Sequence, residues 1–550
     1  MTYCKKPNHG VRMLALAAAI CAIPQAHAFN IDTSNDDLSV RWDNTLKYSN
    51  AFRVRGQNDA LISGNAFSAN ADDGNRNFNK GLISNRVDWL TELDVVYAKR
   101  YGMRVSGAGW YDSVYNTRND NNSPGTANRF SGPYNSFNPS TRTLHGRDAE
   151  LLDAFVFGGF DLGSTRLNLR AGQHSLLWGE SLFFGNNAIA GAMAPVDVIK
   201  LASVPSTQFK EAILPVPQVS AQWQLTPTVS LGAFYQFEWK ANRLPAAGSY
   251  FSGLDFIPEG GEGMYLPIPG FPQPLHRGTN QNAKNSGQGG LQLRFSEFDT
   301  DFGLYAVRFH DKSQQVVNGI VPPGMPSNYH LAYHEGITAL GASASHTFGD
   351  MQLAIEASVR HNQALASTGA NDISALFGTA ANNNSNNPAY AVGRTAHVNV
   401  STLTTLPSSF LAREASLIAE VMWNRVLSVD KNPQALDPNS TRDAWAFRMV
   451  LEPTYRQVLP GLDISVPLGI GWSPAGSRSQ ALGPALPAEN GGDISIGVKG
   501  SYLDVWRFSL GYTHFYGAAD TMMSGFPPTF TYKQFMKDRD FVALSISRTF

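Results

Sequence analysis

The sequence predicts an all-β fold: a membrane-spanning, antiparallel up-and-down β-barrel of about 18 strands, with one inward-folded loop partly filling the lumen. Three observations carry this expectation. Apolar and polar residues alternate with period two from one end of the chain to the other. The connections between the alternating stretches are long and short in turn. One long connection, 173–215, is too apolar for a solvated loop and too broken by Gly and Pro for a helix.

In chain order, Lys5, Lys6 and Arg12 precede the apolar run Met13 to Ile23, and Ala26-His27-Ala28 follows. A charged start, an apolar middle and a small-x-small ending describe a secretory signal peptide over 1–28, with the barrel over 29–550. A lipoprotein anchor would use Cys21, but Ile20 stands where a small residue is expected. The two cysteines, Cys4 and Cys21, both fall in this leader, so the mature chain has no thiol chemistry. A formal net charge of -1 gives no reason to expect nucleic acid. No later apolar run reaches the ~18 residues of a transmembrane helix. A soluble periplasmic sandwich and an outer-membrane barrel remain.

The first strand sets Val40, Trp42, Leu46 and Tyr48 against Arg41, Asp43, Thr45 and Lys47. The second sets Val87, Trp89, Leu93 and Val95 against Arg86, Asp88, Glu92 and Asp94. Val229, Leu231, Tyr235, Phe237 and Trp239 oppose Ser230, Gln236 and Glu238. Trp506, Phe508, Leu510 and Tyr512 oppose Arg507, Ser509 and Thr513. In a membrane barrel the apolar face meets lipid and the charged face lines the lumen.

Connection lengths separate the two architectures. The long connections include 50–83, 116–149, 173–215, 241–285, 311–334, 362–396, 474–491 and 517–538. The short ones include 98–102, 161–164, 226–227, 298–300, 349–350, 459–460 and Leu503. Pro407 to Arg413 and Val429 to Thr441 fit the alternation less cleanly. Long external loops against short periplasmic turns are the outer-membrane pattern, with an even strand count and both ends of the mature chain toward the periplasm. Trp42, Tyr48, Tyr97, Tyr111, Tyr115, Trp239, Trp472 and Tyr516 lie near strand ends and suit interfacial girdles. Phe550 closes a strand with Val542, Leu544 and Ile546 on its face, resembling the terminal insertion signal of such barrels; Arg548 departs from that pattern.

The stretches AANNNSNNP (380–388) and DNNSP (120–124) read as solvated external loops. The Pro-rich apolar stretch Phe251 to Pro274 reads as a loop packed on its neighbours. No catalytic set stands out. His174, Ser175 and Glu180 are close in sequence, yet adjacent strand residues point to opposite faces. Asp72-Asp73-Gly74-Asn75 lacks the spaced carboxylates of a calcium loop and reads as a turn. His330 and His334 show no third ligand. No enzyme activity, metal or cofactor is expected.

The segment 173–215 is the candidate for function. Folding it into the barrel buries its apolar residues and narrows the lumen. Buried charges need partners. Glu180, Asp197, Lys200, Lys210 and Glu211 are expected to neutralise one another or to pair with Arg41, Arg86 or Arg170. Trp178, Glu180, Phe183, Phe184, Lys200, Lys210, Glu211 and Arg170 are the candidates for a constriction that contacts the solute.

The runs Gly81 to Tyr97, Gly107 to Tyr115, Trp178-Gly179-Glu180-Ser181, Pro195 to Lys200 (PVDVIK) and Lys210 to Pro217 (KEAILPVP) carry a resemblance. Across the whole mature chain they are similar to the proteobacterial family of unknown function numbered thirteen-oh-two. The resemblance implies an outer-membrane barrel. It also implies association with an RND-type inner-membrane exporter and a periplasmic protein of LolB-like lipid-carrier fold, hence traffic of a hydrophobic or lipid-like molecule. It supplies no site residues. The expected function is transport of such a small molecule, with outer-membrane lipid around the wall. The alternative is a general porin-type diffusion channel for small polar solutes.

Overall fold

The computed structural model describes residues 29–128, 130–204, 208–267, 274–410 and 412–550. The signal peptide expected over 1–28 lies outside them. Eighteen antiparallel strands close into a barrel. They are β1 Leu38–Arg53, β2 Gly81–Tyr97, β3 Tyr101–Asp112, β4 Arg147–Leu162, β5 Thr165–His174 and β6 Val216–Thr226. Next come β7 Val229–Gln236, β8 Gln288–Glu297, β9 Thr300–Phe309, β10 Ile337–Phe348, β11 Met351–Ala364 and β12 Val392–Leu406. Last are β13 Glu414–Lys431, β14 Asp443–Leu459, β15 in two pieces (Leu462–Ser465 and Leu468–Ser473), β16 Gly491–Tyr502, β17 Trp506–Tyr516 and β18 Phe541–Thr549. Each pairs with the next in sequence.

Closure comes from β18 returning to β1, in register from Thr45 opposite Thr549 to Arg53 opposite Phe541. Asn44 and Phe550 exchange both backbone hydrogen bonds at 2.8 Å. Beyond that point the short strand Phe29–Ile31 takes over beside Val40 to Trp42. A closed sheet leaves no unpaired edge, the condition for placing strands in lipid.

β11 shows why this wall belongs in a bilayer. Met351, Leu353, Ile355 and Val359 are exposed, while Ala354, Glu356, Ser358 and Arg360 between them are buried. Trp89, Leu291, Leu340 and Leu510 are each more than half exposed on other strands. A soluble sandwich would hide such a face in its core; here the side turned inward is the polar one. Among the described residues no helix is long and apolar enough to cross a membrane.

The short turns lie at one rim. Ala98-Lys99, Phe298-Asp299 and Leu503-Asp504 have positive φ at both residues. That is the type I′ geometry whose twist matches two antiparallel strands. At the other rim the long loops build a cap. Leu254, Phe256, Ile257, Met264 and Leu266 pack with Phe67, Tyr329, Leu331, Tyr333 and Met523 from three other loops. The Pro-rich stretch is thus part of a shared core, apart from 268–273, which fall outside the described residues.

Two expectations need correction here. Trp42, Tyr97, Tyr111 and Trp472 are exposed near strand ends, but Tyr48 and Tyr115 are buried. Tyr516 shares the outward face with the exposed Trp472 through Gly492, but Tyr48 donates to Asn85, Tyr115 stacks on His145 and Trp239 packs on Tyr333 in the cap, its Nε1 donating to the Asp311 carbonyl. Polar handles that find a partner draw these rings out of the girdle. The Asn-rich loops are also less solvated than their composition suggests. Asn121 is buried and donates to Asp73 and Asn77, and Asn384 donates to the Gln281, Asn282 and Tyr333 carbonyls. Asn side chains here satisfy loop backbone that has no strand partner.

Candidate functional site

The β5–β6 loop, 175–215, crosses the lumen and is fastened to the opposite wall. Glu420 of β13 makes the main clasp. Its Oε2 accepts the successive backbone N–H groups of Leu182, Phe183 and Phe184 at 3.1, 2.5 and 3.0 Å. Its Oε1 accepts Ser181 Oγ and Asn399 Nδ2, both at 2.7 Å. Three successive N–H groups on one anion form a nest, which satisfies a buried carboxylate without a counter-cation.

Glu356 of β11 makes a second clasp. It accepts the N–H groups of Glu180 at 2.8 Å and Ile189 at 2.6 Å. Gly179 makes this approach possible: its φ is +95°, and a Cβ there would sit 2.2 Å from the Glu356 carboxylate. Arg360 then donates to the Asn186 and Ala188 carbonyls at 2.9 and 2.8 Å. Asn187 is held on all sides: its amide donates to Asn399, and its carbonyl oxygen accepts from Asn424 and faces a His397 ring nitrogen at 2.9 Å. Lys312, from the β9–β10 loop, donates to the Ala192 carbonyl at 3.1 Å.

Apolar contact adds to these hydrogen bonds. Trp178 is buried edge-on against Phe234, ring centroids 5.0 Å apart, within a cluster that includes Ile189, Met193, Tyr305, Phe309 and Ile337. Elsewhere the loop forms its own small core of Ala188, Ala190, Val196, Phe209 and Ala212. The apolar content that distinguishes this stretch is spent largely on anchoring. Trp178→Ala is expected to cost the plug about 3–5 kcal/mol, measured as faster cleavage of the loop by protease at unchanged barrel mobility on gels.

The eight candidate residues therefore separate. Trp178 is an anchor. Phe183 and Phe184 are partly exposed, and the Arg448 guanidinium lies 5.8 Å from the Phe183 ring. Glu180 is partly buried; burial raises its pKa, with the charge of Arg294 opposing. Lys200, Lys210 and Glu211 are exposed on the loop. Lys200 donates to the Glu211 carbonyl at 2.6 Å and is close enough to Lys47 of β1 to interact electrostatically. Arg170 is exposed on β5, over the Phe155 ring.

The expected pairing of loop charges with wall arginines does not occur. Asp197 pairs with Arg243 at 3.1 Å, and Arg243 also pairs with Glu150. Arg41 pairs with Asp43 and Arg86 with Asp88, each two residues along its own strand. Such same-face neighbours are reached without crossing the lumen. His174 likewise meets the Gly172 carbonyl and Ser220, not Ser175.

The clasps run from β7 round to β13. The remaining wall carries ion pairs: Arg104 with Asp94 and Asp153, Arg448 with Asp493, Lys499 with Glu452. Their side chains keep between 18% and 49% exposure, so this side of the lumen is hydrated. One side of the barrel is filled and dry; the other is wet and charged. Glu356, Arg360, Asn399, Glu420 and Arg243 were not among the candidates, although they hold the loop in place.

Among solved structures the chain is similar to OccAB1 of Acinetobacter baumannii, at 9% identity and a TM-score of 0.41, covering 96% of this chain and 99% of that one. It is similar to OpdK (OccK1) of Pseudomonas aeruginosa, at 10% identity and 0.40, covering 92% and 98%. The outer membrane channel DcaP of Acinetobacter baumannii gives 11% identity and 0.37, covering 96% and 100%. Likeness at this level does not extend to a solute. No curated protein matches the sequence. The family model described as "Protein of unknown function (DUF1302)" matches residues 9–550, essentially the whole chain, and the protein belongs to that family.

Proposed function

We propose that the protein is an outer-membrane transport channel for a hydrophobic or lipid-like small molecule, with the β5–β6 loop as its constriction. One observation carries this: among the described residues, the main clasps of the loop, at Glu356 and Glu420, lie on one side of the lumen. A passing solute meets two unlike surfaces, the partly exposed Leu182, Phe183 and Phe184 on the loop and the hydrated ion pairs of Arg104 and Lys499 on the facing wall. An amphipathic molecule, apolar at one end and charged at the other, matches both. Selectivity then rests on constriction size and lumen polarity. An RND-type exporter and a periplasmic LolB-like carrier fit as envelope partners, because a poorly soluble molecule has to be handed over rather than released. The alternative, general diffusion of small polar solutes, is favoured by the ion-paired wall.

Planar-bilayer recording with liposome uptake separates the two. The proposal expects a small unitary current, uptake of a fluorescent fatty acid, and a loss of that uptake in Phe183→Ala/Phe184→Ala larger than any change in chloride current. A large steady ohmic current with sugar uptake establishes the diffusion porin instead. Cross-linking in cells that captures no exporter removes the partnership and leaves the channel standing.

A further inference from the structure

Three acidic side chains that the channel does not use meet under the cap. Asp72 and Asp73 lie in the β1–β2 loop and Asp255 in the β7–β8 loop, all buried. One carboxylate oxygen from each lies within 4.8 Å of the others. Most of their remaining oxygens are engaged. Asp72 Oδ2 accepts Arg76 Nε at 2.6 Å. Asp73 accepts Asn121 Nδ2 at 3.2 Å and the Asn128 N–H at 3.0 Å. Asp255 Oδ2 accepts the Asp73 N–H at 3.1 Å.

Two oxygens are different. Asp72 Oδ1 and Asp255 Oδ1 are buried and accept no hydrogen bond; the Thr126 hydroxyl lies near Asp72 and the Asp72 amide near Asp255. A buried carboxylate oxygen with no donor is costly unless a cation or a proton supplies the missing interaction. Among the described residues no cationic side chain donates a hydrogen bond to either oxygen, although the charge of Arg539 reaches Asp255. Arg76 is committed to the other Asp72 oxygen, and Arg539 donates to the Tyr250 and Ser252 carbonyls.

We propose that Asp72, Asp73 and Asp255 form a calcium site that ties the β1–β2 loop to the β7–β8 loop inside the cap. The donors are all oxygen, as a hard cation requires. Three protein carboxylates meeting at one point suit calcium rather than magnesium, which gives up its waters reluctantly and takes one or two carboxylates. Through Asp73 the site also holds Asn121 and Asn128, so a third loop, β3–β4, is anchored to it.

The test uses the full mature barrel in detergent, stripped with EDTA, and calcium alone as probe. Equilibrium dialysis with radioactive calcium should show one ion per barrel, with a dissociation constant of about 10⁻⁴–10⁻³ M. Asp255→Asn and Asp73→Asn should each weaken uptake at least tenfold, while Asp59→Asn, an exposed acid of the same loop, should not. Asp255→Asn has the shape of the protonated acid, so the cap should fold in it. EDTA should speed protease cleavage of the cap in the native protein and leave Asp255→Asn unaffected. The proposal is overturned if the native barrel takes up no saturable calcium, or if Asp255→Asn takes up as much. A cap in Asp255→Asn that resists protease better than the native one, with calcium without effect on either, would assign a shared proton to the cluster instead.

Discussion

Glu420→Ala should open the channel. The substitution removes the acceptor for three successive loop N–H groups and for Ser181 and Asn399, all in a buried setting. Deleting one side of a buried, charge-assisted set costs about 3–5 kcal/mol, enough to move the loop from clasped to mostly detached. The wall does not depend on this clasp, since its ladders are backbone bonds between strands. Single-channel conductance should rise several-fold while heat-modifiable gel mobility stays native. Glu420→Gln should be intermediate: its one carbonyl oxygen can face the nest, and its amide can donate to Ser181 and Asn399 if those groups turn. Native conductance in Glu420→Ala would mean that the loop does not limit flow.

Strand positions were legible because a half-lipid, half-lumen strand has to alternate, and Glu356 on β11 sits in an unbroken alternation. The inward loop was legible from its apolar content alone. Its anchor points were not. Glu356 reads locally as one more lumen charge, yet its partners Glu180 and Ile189 lie 176 and 167 residues away in sequence. A signal was present: its cross-strand neighbours, Ser343 and Asn399, carry no charge to pair with it. Glu420 is better disguised, because Arg448 lies directly across from it, but that guanidinium is committed to Asp493. Trp178 was expected at the constriction since a large ring in a loop suggests contact with solute. It is an anchor because an apolar ring gains more from the dry side of the wall than from a wet lumen. Asp255 lies 182 residues from Asp73, so nothing in Asp72-Asp73-Gly74-Asn75 announces the third carboxylate.

A graded series on β11 tests the wall itself. Met351, Ile355 and Val359 share the outward face, with Met351 beside the Gly349-Asp350 turn and Ile355 near the middle of the strand. An arginine at Ile355 should cost about 2–4 kcal/mol, and one at Met351 about 0–1 kcal/mol, because the penalty follows depth in the hydrocarbon. Urea unfolding from lipid vesicles reads both, with Val359→Arg expected close to Ile355→Arg. Equal costs along the series would place this face in water. The comparison is sharp because Glu356 is the very next residue after Ile355. One step along the backbone separates a position that must exclude charge from one where charge clasps the loop, so the bilayer outside fixes the register that aims Glu356 at Glu180 and Ile189 inside.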